Sequence, residues 1–248
     1  MTATVEGEPI IAAPAGRLTP IRDLGRPGEL RPDFREILRL VRPGSRVLDI
    51  GCGEGALLEL LVRDKGCDGR GLEISARGVA ACLARGLAVV QGDADRDLKD
   101  FPAKGFDYAV LSQTLQATVA PREVLTELLR IADRAIVSFP NFGHWRMRLS
   151  LLVRGRMPET EALPHTWWST PNIHMCTVKD FAILCREMGV EIEFCAAFSD
   201  GKPPRRMDPY SEIENLRAET ALFLLRRNGA AAAGAAPAEP EKPKGLFD

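Results

Sequence analysis

The sequence predicts a layered α/β fold, a mostly parallel sheet of seven strands with helices on both faces. Short apolar runs alternate with helical patterns between about Arg31 and Arg227. The first of these runs passes directly into a glycine-rich loop that opens a helix. Repeated strand-then-helix units require a parallel sheet, because parallel neighbours can be joined only by long, right-handed crossovers.

The elements follow in order. Pro32-Asp33 is a helix start, and Phe34 to Val41 continues that helix. Arg46 to Ile50 is a short apolar strand, and Ala56 to Arg63 a helix with an apolar stripe. A second strand runs from Gly69 to Ile74 and a second helix from Ala76 to Ala84. Ala88 to Gln91 and Phe106 to Ser112 are the third and fourth strands, and Pro121 to Ile131 is the helix after them. Ala135 to Phe139 is a fifth strand. Val178 to Met188 is a helix, followed by strands at Glu191 to Phe198 and Ala221 to Arg226. No helix is expected between these last two, so they are expected to pair antiparallel at the sheet edge. From His144 to Asn172 the alternation breaks. This stretch holds all three tryptophans and reads as an inserted cap over the carboxyl ends of the strands, where such sheets bind ligands.

The ends differ from this core. Residues 1 to 30 are rich in Pro, Gly and Ala and read as an irregular arm. Residues 229 to 248 are an Ala/Pro/Glu/Lys low-complexity tail, leaving one domain over residues 31 to 228. The net charge is −1, with acids and bases intermixed, so no nucleic-acid partner is expected. No apolar run approaches the ~20 residues of a membrane helix, and no signal peptide is read. The six cysteines form no C-x-x-C pair, and the three histidines lack metal-ligand spacing. No metal site is expected, and the cysteines read as reduced core thiols of a cytoplasmic protein.

The loop Val47-Leu-Asp-Ile-Gly-Cys-Gly-Glu-Gly55 is the first chemical signal. Its glycines alone leave two ligands open, since Gly51, Gly53 and Ala56 also satisfy the dinucleotide pattern. Charge separates the two. A dinucleotide would set its pyrophosphate against the loop, beside the acids Asp49 and Glu54. S-adenosyl-L-methionine carries no phosphate and has a sulfonium and an ammonium, so it suits an acidic loop better. Glu73, at the end of the second strand, is placed to accept from both ribose hydroxyls. Asp93, in Gln91-Gly92-Asp93, is placed to accept from an adenine amino group. The candidate ligand residues are Asp49, Gly51, Cys52, Gly53, Glu54, Gly55, Glu73, Ile74, Gly92, Asp93, Ala94, Ser112 and Gln113.

Beyond the loop, three segments are more specific: Leu111-Ser-Gln-Thr-Leu-Gln-Ala117, Ser138-Phe-Pro-Asn-Phe-Gly-His-Trp145 and Thr170-Pro-Asn-Ile-His-Met-Cys-Thr177. With the loop, they make the chain resemble the MetW family of methionine biosynthesis proteins over about Arg31 to Arg227. The resemblance implies a Rossmann-like class I methyltransferase fold. It also implies a role beside a homoserine O-acyltransferase (MetX) as activating or regulatory partner. The alternative is an independent small-molecule methyltransferase, and a third reading makes S-adenosyl-L-methionine a feedback signal to the acyltransferase. Fold alone does not decide among them.

No catalytic residue is assigned. An amine-directed enzyme acting on nucleic acid or protein amide would carry Asp/Asn-Pro-Pro-aromatic after the fourth strand, where this chain has Ser112-Gln113-Thr114. Phe139-Pro140-Asn141-Phe142 follows the fifth strand and does not replace it. His144 and His174 read as general bases or, the preferred reading, as holders of the cap loops. The tryptophans Trp145, Trp167 and Trp168 read equally as pocket lining, interface anchors or cap packing. Arg146, Arg148, Arg154 and Arg156, interleaved with apolar residues, read as the solvated face of an amphipathic helix or as a dock for an acidic partner.

Overall fold

The computed structural model describes residues 30–227 apart from 161, 162, 164, 200 and 201. Except for Leu30, the expected N-terminal arm and the C-terminal tail lie outside the described residues. The sheet has strand order β3-β2-β1-β4-β5-β8-β6-β7. Strands β1 (Arg46–Ile50), β2 (Asp68–Glu73), β3 (Ala88–Gln91), β4 (Phe106–Ser112) and β5 (Ala132–Pro140) are mutually parallel. β8 (Thr220–Arg227) lies between β5 and β6 (Val190–Phe198), antiparallel to both.

The antiparallel pair expected at the end of the chain therefore forms, but β8 is an interior strand. The edge belongs to β7 (Arg205–Arg206), an eighth strand of two residues, too short to leave a periodic signal. A helix of six residues, Glu212–Arg217, also lies between β6 and β8, where none is expected from the sequence. Its signal is local: Ser211 caps it by accepting from the Glu214 N–H.

Strand alternation divides the core between the two faces. On one face Leu48, Ala109, Leu111, Val137 and Phe139 pack under α5 (Pro121–Ile131) and α7 (Val178–Glu187). Phe139, Phe181 and Phe223 form the centre there, with ring centroids 4.7–5.7 Å apart. On the other face Val47, Val110, Ile136 and Leu222 pack under α1 (Pro32–Leu40) and α2 (Ala56–Lys65). Local chemistry fixes the helix starts. Pro32 stands at the first position of α1, where its missing N–H costs nothing. Thr177 and Asp180 close a capping box at α7.

From β1 the chain builds outward to β2 and β3, then returns to add β4 and β5 on the other side. This reversal opens a crevice at the carboxyl ends of β1 and β4. The candidate ligand residues lie at the carboxyl ends of β1, β2, β3 and β4 or in the turns that follow them. Among the described residues, no helix is long and apolar enough to cross a membrane.

Candidate functional site

The glycine loop after β1 is shaped by its neighbours. Gly51 has φ +70°, and a Cβ there would fall 2.5 Å from Thr114 Oγ1, on the loop after β4. Both the backbone angle and the contact across the crevice demand glycine. Gly53 has φ +57° and faces open space, leaving its backbone approachable.

Four of the five N–H groups from Gly51 to Gly55 are turned inward. Those of Gly51 and Cys52 donate to the Leu72 carbonyl, and that of Gly55 to the Cys52 carbonyl. The Gly53 N–H donates to Glu73 Oε2 at 2.8 Å. A pyrophosphate would need such donors free and aimed at it. The Cys52 side chain lies under the loop, its Sγ 3.9 Å from that of Cys82 on α3 (Ala76–Ala84), and burial raises both thiols. Cys52 thus offers a ligand only its backbone.

Glu73, at the tip of β2, is buried and accepts one backbone N–H on each oxygen, from Gly53 and from Ser75. Each oxygen keeps a lone pair for a further donor. Ile74, expected to end the strand, lies one residue past it and is 58% exposed, an apolar surface beside the Glu73 carboxylate. Gly92, Asp93 and Ala94 form the turn from β3 into α4 (Ala94–Asp97). Asp93 caps α4, one oxygen accepting from the Asp95 N–H at 2.9 Å. Glu54 pairs loosely with the exposed Arg77 of α3 at 3.5 Å, so its charge is partly offset.

Asp49 is 2% exposed on β1, on the Val47 face that α1 covers. Burial pushes its carboxyl up to about 7, opposed by Arg31 and reinforced by Glu73 and Asp33. Arg31 and Asp33 stand at the start of α1, where the sequence marked Pro32-Asp33 only as a helix start. Here they form a 2.6 Å ion pair over the ends of β4 and β5. Asp33 Oδ2 accepts from Ser112 Oγ at 2.9 Å and from Ser138 Oγ at 3.0 Å, and Arg31 donates to Ser112 Oγ at 3.1 Å. An acid in the first turn of a helix is ordinary, so nothing in sequence marked this pair as buried. Gln113 follows Ser112 with φ +56°, a strained angle for a side-chain-bearing residue, and donates its N–H to the Ser138 carbonyl.

The three specific segments meet at the carboxyl ends of β4 and β5. The Gln116 side-chain amide donates to the Pro140 carbonyl at 2.9 Å, and the Gln116 backbone carbonyl accepts from the N–H groups of Ile173 and His174. Asn141 donates to the carbonyls of Asn215 and Ala218, both at 2.7 Å, and accepts from the N–H groups of Gly143 and Val178. The Phe142 N–H donates to the Cys176 carbonyl. Asn141 and the Gln116 amide nitrogen are thus spent on holding loops, while the buried Gln116 Oε1 has no partner among the described residues.

The histidines follow suit. His144 is buried 3.8 Å from Glu219, and burial lowers its pKa, opposed by that carboxylate. His174 Nε2 lies 3.2 Å from the Val119 carbonyl, so that nitrogen donates. Burial pushes the Cys176 thiol up to about 12, which keeps it protonated and a poor nucleophile. None of the three tryptophans is buried, which removes the cap-packing reading for them. Among the described residues no cluster of three or more His, Cys, Asp or Glu could hold a metal ion.

The comparisons with known proteins agree with this layout. Residues 31–225 match the family model described as methionine biosynthesis protein MetW. The bifunctional methionine biosynthesis protein MetXA/MetW of Rhodopirellula baltica is 33% identical over 207 residues. That match takes in 80% of this chain but only 33% of the relative, so the chain spans about a third of its length. Among solved structures, a SAM-dependent methyltransferase from Thermotoga maritima aligns with TM-score 0.56 at 18% identity, over 79% of this chain and 87% of the other. The [4+2]-cyclase SpnF aligns with TM-score 0.52 at 18% identity, over 79% and 80%. The fold is that of the class I SAM-dependent methyltransferases, and it also carries a protein named for a cyclisation.

Proposed function

Because the chain belongs to the MetW family of methionine biosynthesis proteins, we propose that it binds S-adenosyl-L-methionine and acts as activating or regulatory partner of a homoserine O-acyltransferase. One observation carries the reading. The family's specific segments converge on a buried network that ties the crevice to the segment after β5, and they present no acid–base pair to an acceptor. A relative joining MetXA and MetW in a single chain supports the choice of partner.

The residues present fit the ligand. Glu73 keeps acceptor capacity for two ribose hydroxyls, and the exposed Ile74 beside it offers an apolar face for the purine. Arg31 and Asp49 are a complementary pair for a group carrying both carboxylate and ammonium. The inward-turned N–H groups of the loop disfavour a dinucleotide. Gly51 to Gly55, Gly92 to Ala94 and Ser112-Gln113 would supply the remaining walls. When bound, the ligand supplies an activated methyl group.

The test is the acyltransferase rate with and without this protein, titrated with S-adenosyl-L-methionine. A rate that changes on adding the protein, and changes again with the ligand, is expected. An unaltered rate at micromolar protein would refute the partnership. The second reading, an independent small-molecule methyltransferase, is favoured by the acids Asp49 and Glu73 at the loop. Methyl transfer needs only positioning once the sulfonium is in place. It predicts labelled product from labelled S-adenosyl-L-methionine and cell metabolites.

A further inference from the structure

The helix after β5, α6 (Trp145–Arg154), has its apolar side outward. Trp145, Leu149, Leu152 and Val153 are 45%, 48%, 84% and 71% exposed, while Met147 is its only buried residue. At about 100° per residue, those four positions fall in one arc roughly 100° wide. Met147 points the opposite way, beside Leu151, which is 37% exposed. Arg146 and Arg148 flank the arc, one on each side. An amphipathic helix normally turns such an arc to the core. Here it faces solvent, and among the described residues no other helix or strand packs closely on α6. Exposed apolar stripes of this kind mark interaction surfaces.

Charge narrows the occupant. Arg146 is engaged by Glu219 and by the Trp145 ring, and Arg148 by the Gly143 carbonyl. Arg154 and Arg156, at the far end of the helix, have no carboxylate partner among the described residues. A matching surface is an apolar groove with carboxylates at one end, where arginine forms strong, geometrically specific pairs. The helix is also the direct continuation of the segment Ser138–Trp145. Ser138 donates to Asp33 in the crevice, and Asn141 anchors the turn that leads to α6. A partner seated on α6 therefore touches the element that begins at the ligand site.

We propose that the outward face of α6 is the surface on which the homoserine O-acyltransferase docks, through an apolar groove bordered by acidic residues. The inference rests on the partner reading above, and the experiment separates the two. Binding of the full chain to the acyltransferase is measured by calorimetry for wild type, for the double variant Leu149→Glu/Leu152→Glu, and for Ile213→Glu. Ile213 is an exposed apolar residue on the short helix before β8. All these side chains are exposed, so circular dichroism should report unchanged folds. The double variant is expected to bind at least about tenfold more weakly, and the Ile213 variant as wild type does. Arg154→Ala/Arg156→Ala should slow association and flatten its salt dependence. Equal binding by wild type and the double variant would overturn this docking face while leaving the partnership intact. No binding by wild type would overturn the partnership, and the inference with it. If the double mutation abolishes only self-association, or only binding to phosphatidylglycerol vesicles, the face serves a second copy or a lipid surface and the proposal fails.

Discussion

Asp49 offers the sharpest test of the crevice. Its carboxyl is held at about 7 by burial, against the ordinary range near 4. Below about pH 7 the folded chain without ligand therefore holds this carboxyl mostly neutral. The contribution of this group to stability is greatest below the ordinary range and is lost as pH rises through about 7. A ligand with a cationic end prefers the ionised form, so binding should strengthen over the same interval. With a pKa of about 7, roughly one tenth of the carboxyls are ionised at pH 6 and roughly nine tenths at pH 8. If only the ionised form binds, apparent affinity for S-adenosyl-L-methionine rises about tenfold, or ~1.4 kcal/mol. The assay is calorimetric titration at pH 6, 7 and 8, for wild type and for Asp49→Asn. The variant keeps the shape and cannot ionise, so comparing the two cancels titration of the ligand itself. Wild type should gain about tenfold relative to the variant between pH 6 and pH 8. Parallel pH dependence in the two proteins would refute the role assigned to Asp49.

Two further outcomes follow from named contacts. Glu73→Ala should weaken S-adenosyl-L-methionine by ~1–3 kcal/mol, since it removes both acceptors proposed for the ribose and frees the Gly53 N–H; unchanged binding by calorimetry would remove Glu73 from the site. Asn141→Ala should cost ~3–5 kcal/mol in urea denaturation, because four buried backbone groups lose their partner together. An unshifted midpoint would show that the network does not hold the loops.

Much of the fold was legible because its signals are local or periodic. The five parallel strands, α2, α3, α5 and α7 could be placed to within a few residues from apolar runs and from the helices between them. The glycine loop was legible from spacing, and so were the acids placed around it. Short elements were not. β7 and the helix over Glu212–Arg217 are too brief for a period to emerge, and without β7 the pair of β6 and β8 was expected to form the sheet edge. A parallel run of apolar residues also says nothing about its order in the sheet. That order depends on which neighbours bury which face.

The sequence by itself determined the layered α/β architecture, the loop and the set of acids at the strand ends. Only the tertiary structure decided what those groups do to one another. It aimed the loop's N–H groups inward, laid Arg31 and Asp33 over the crevice, raised Asp49 by burial and turned the apolar arc of α6 to solvent. The physical reason is that spacing along a chain fixes which side chains share a face. Burial, and with it the strength of charge and the destination of each hydrogen bond, is set by residues distant in sequence. Asp33 meets Ser138 across 105 positions, and no local pattern encodes that meeting.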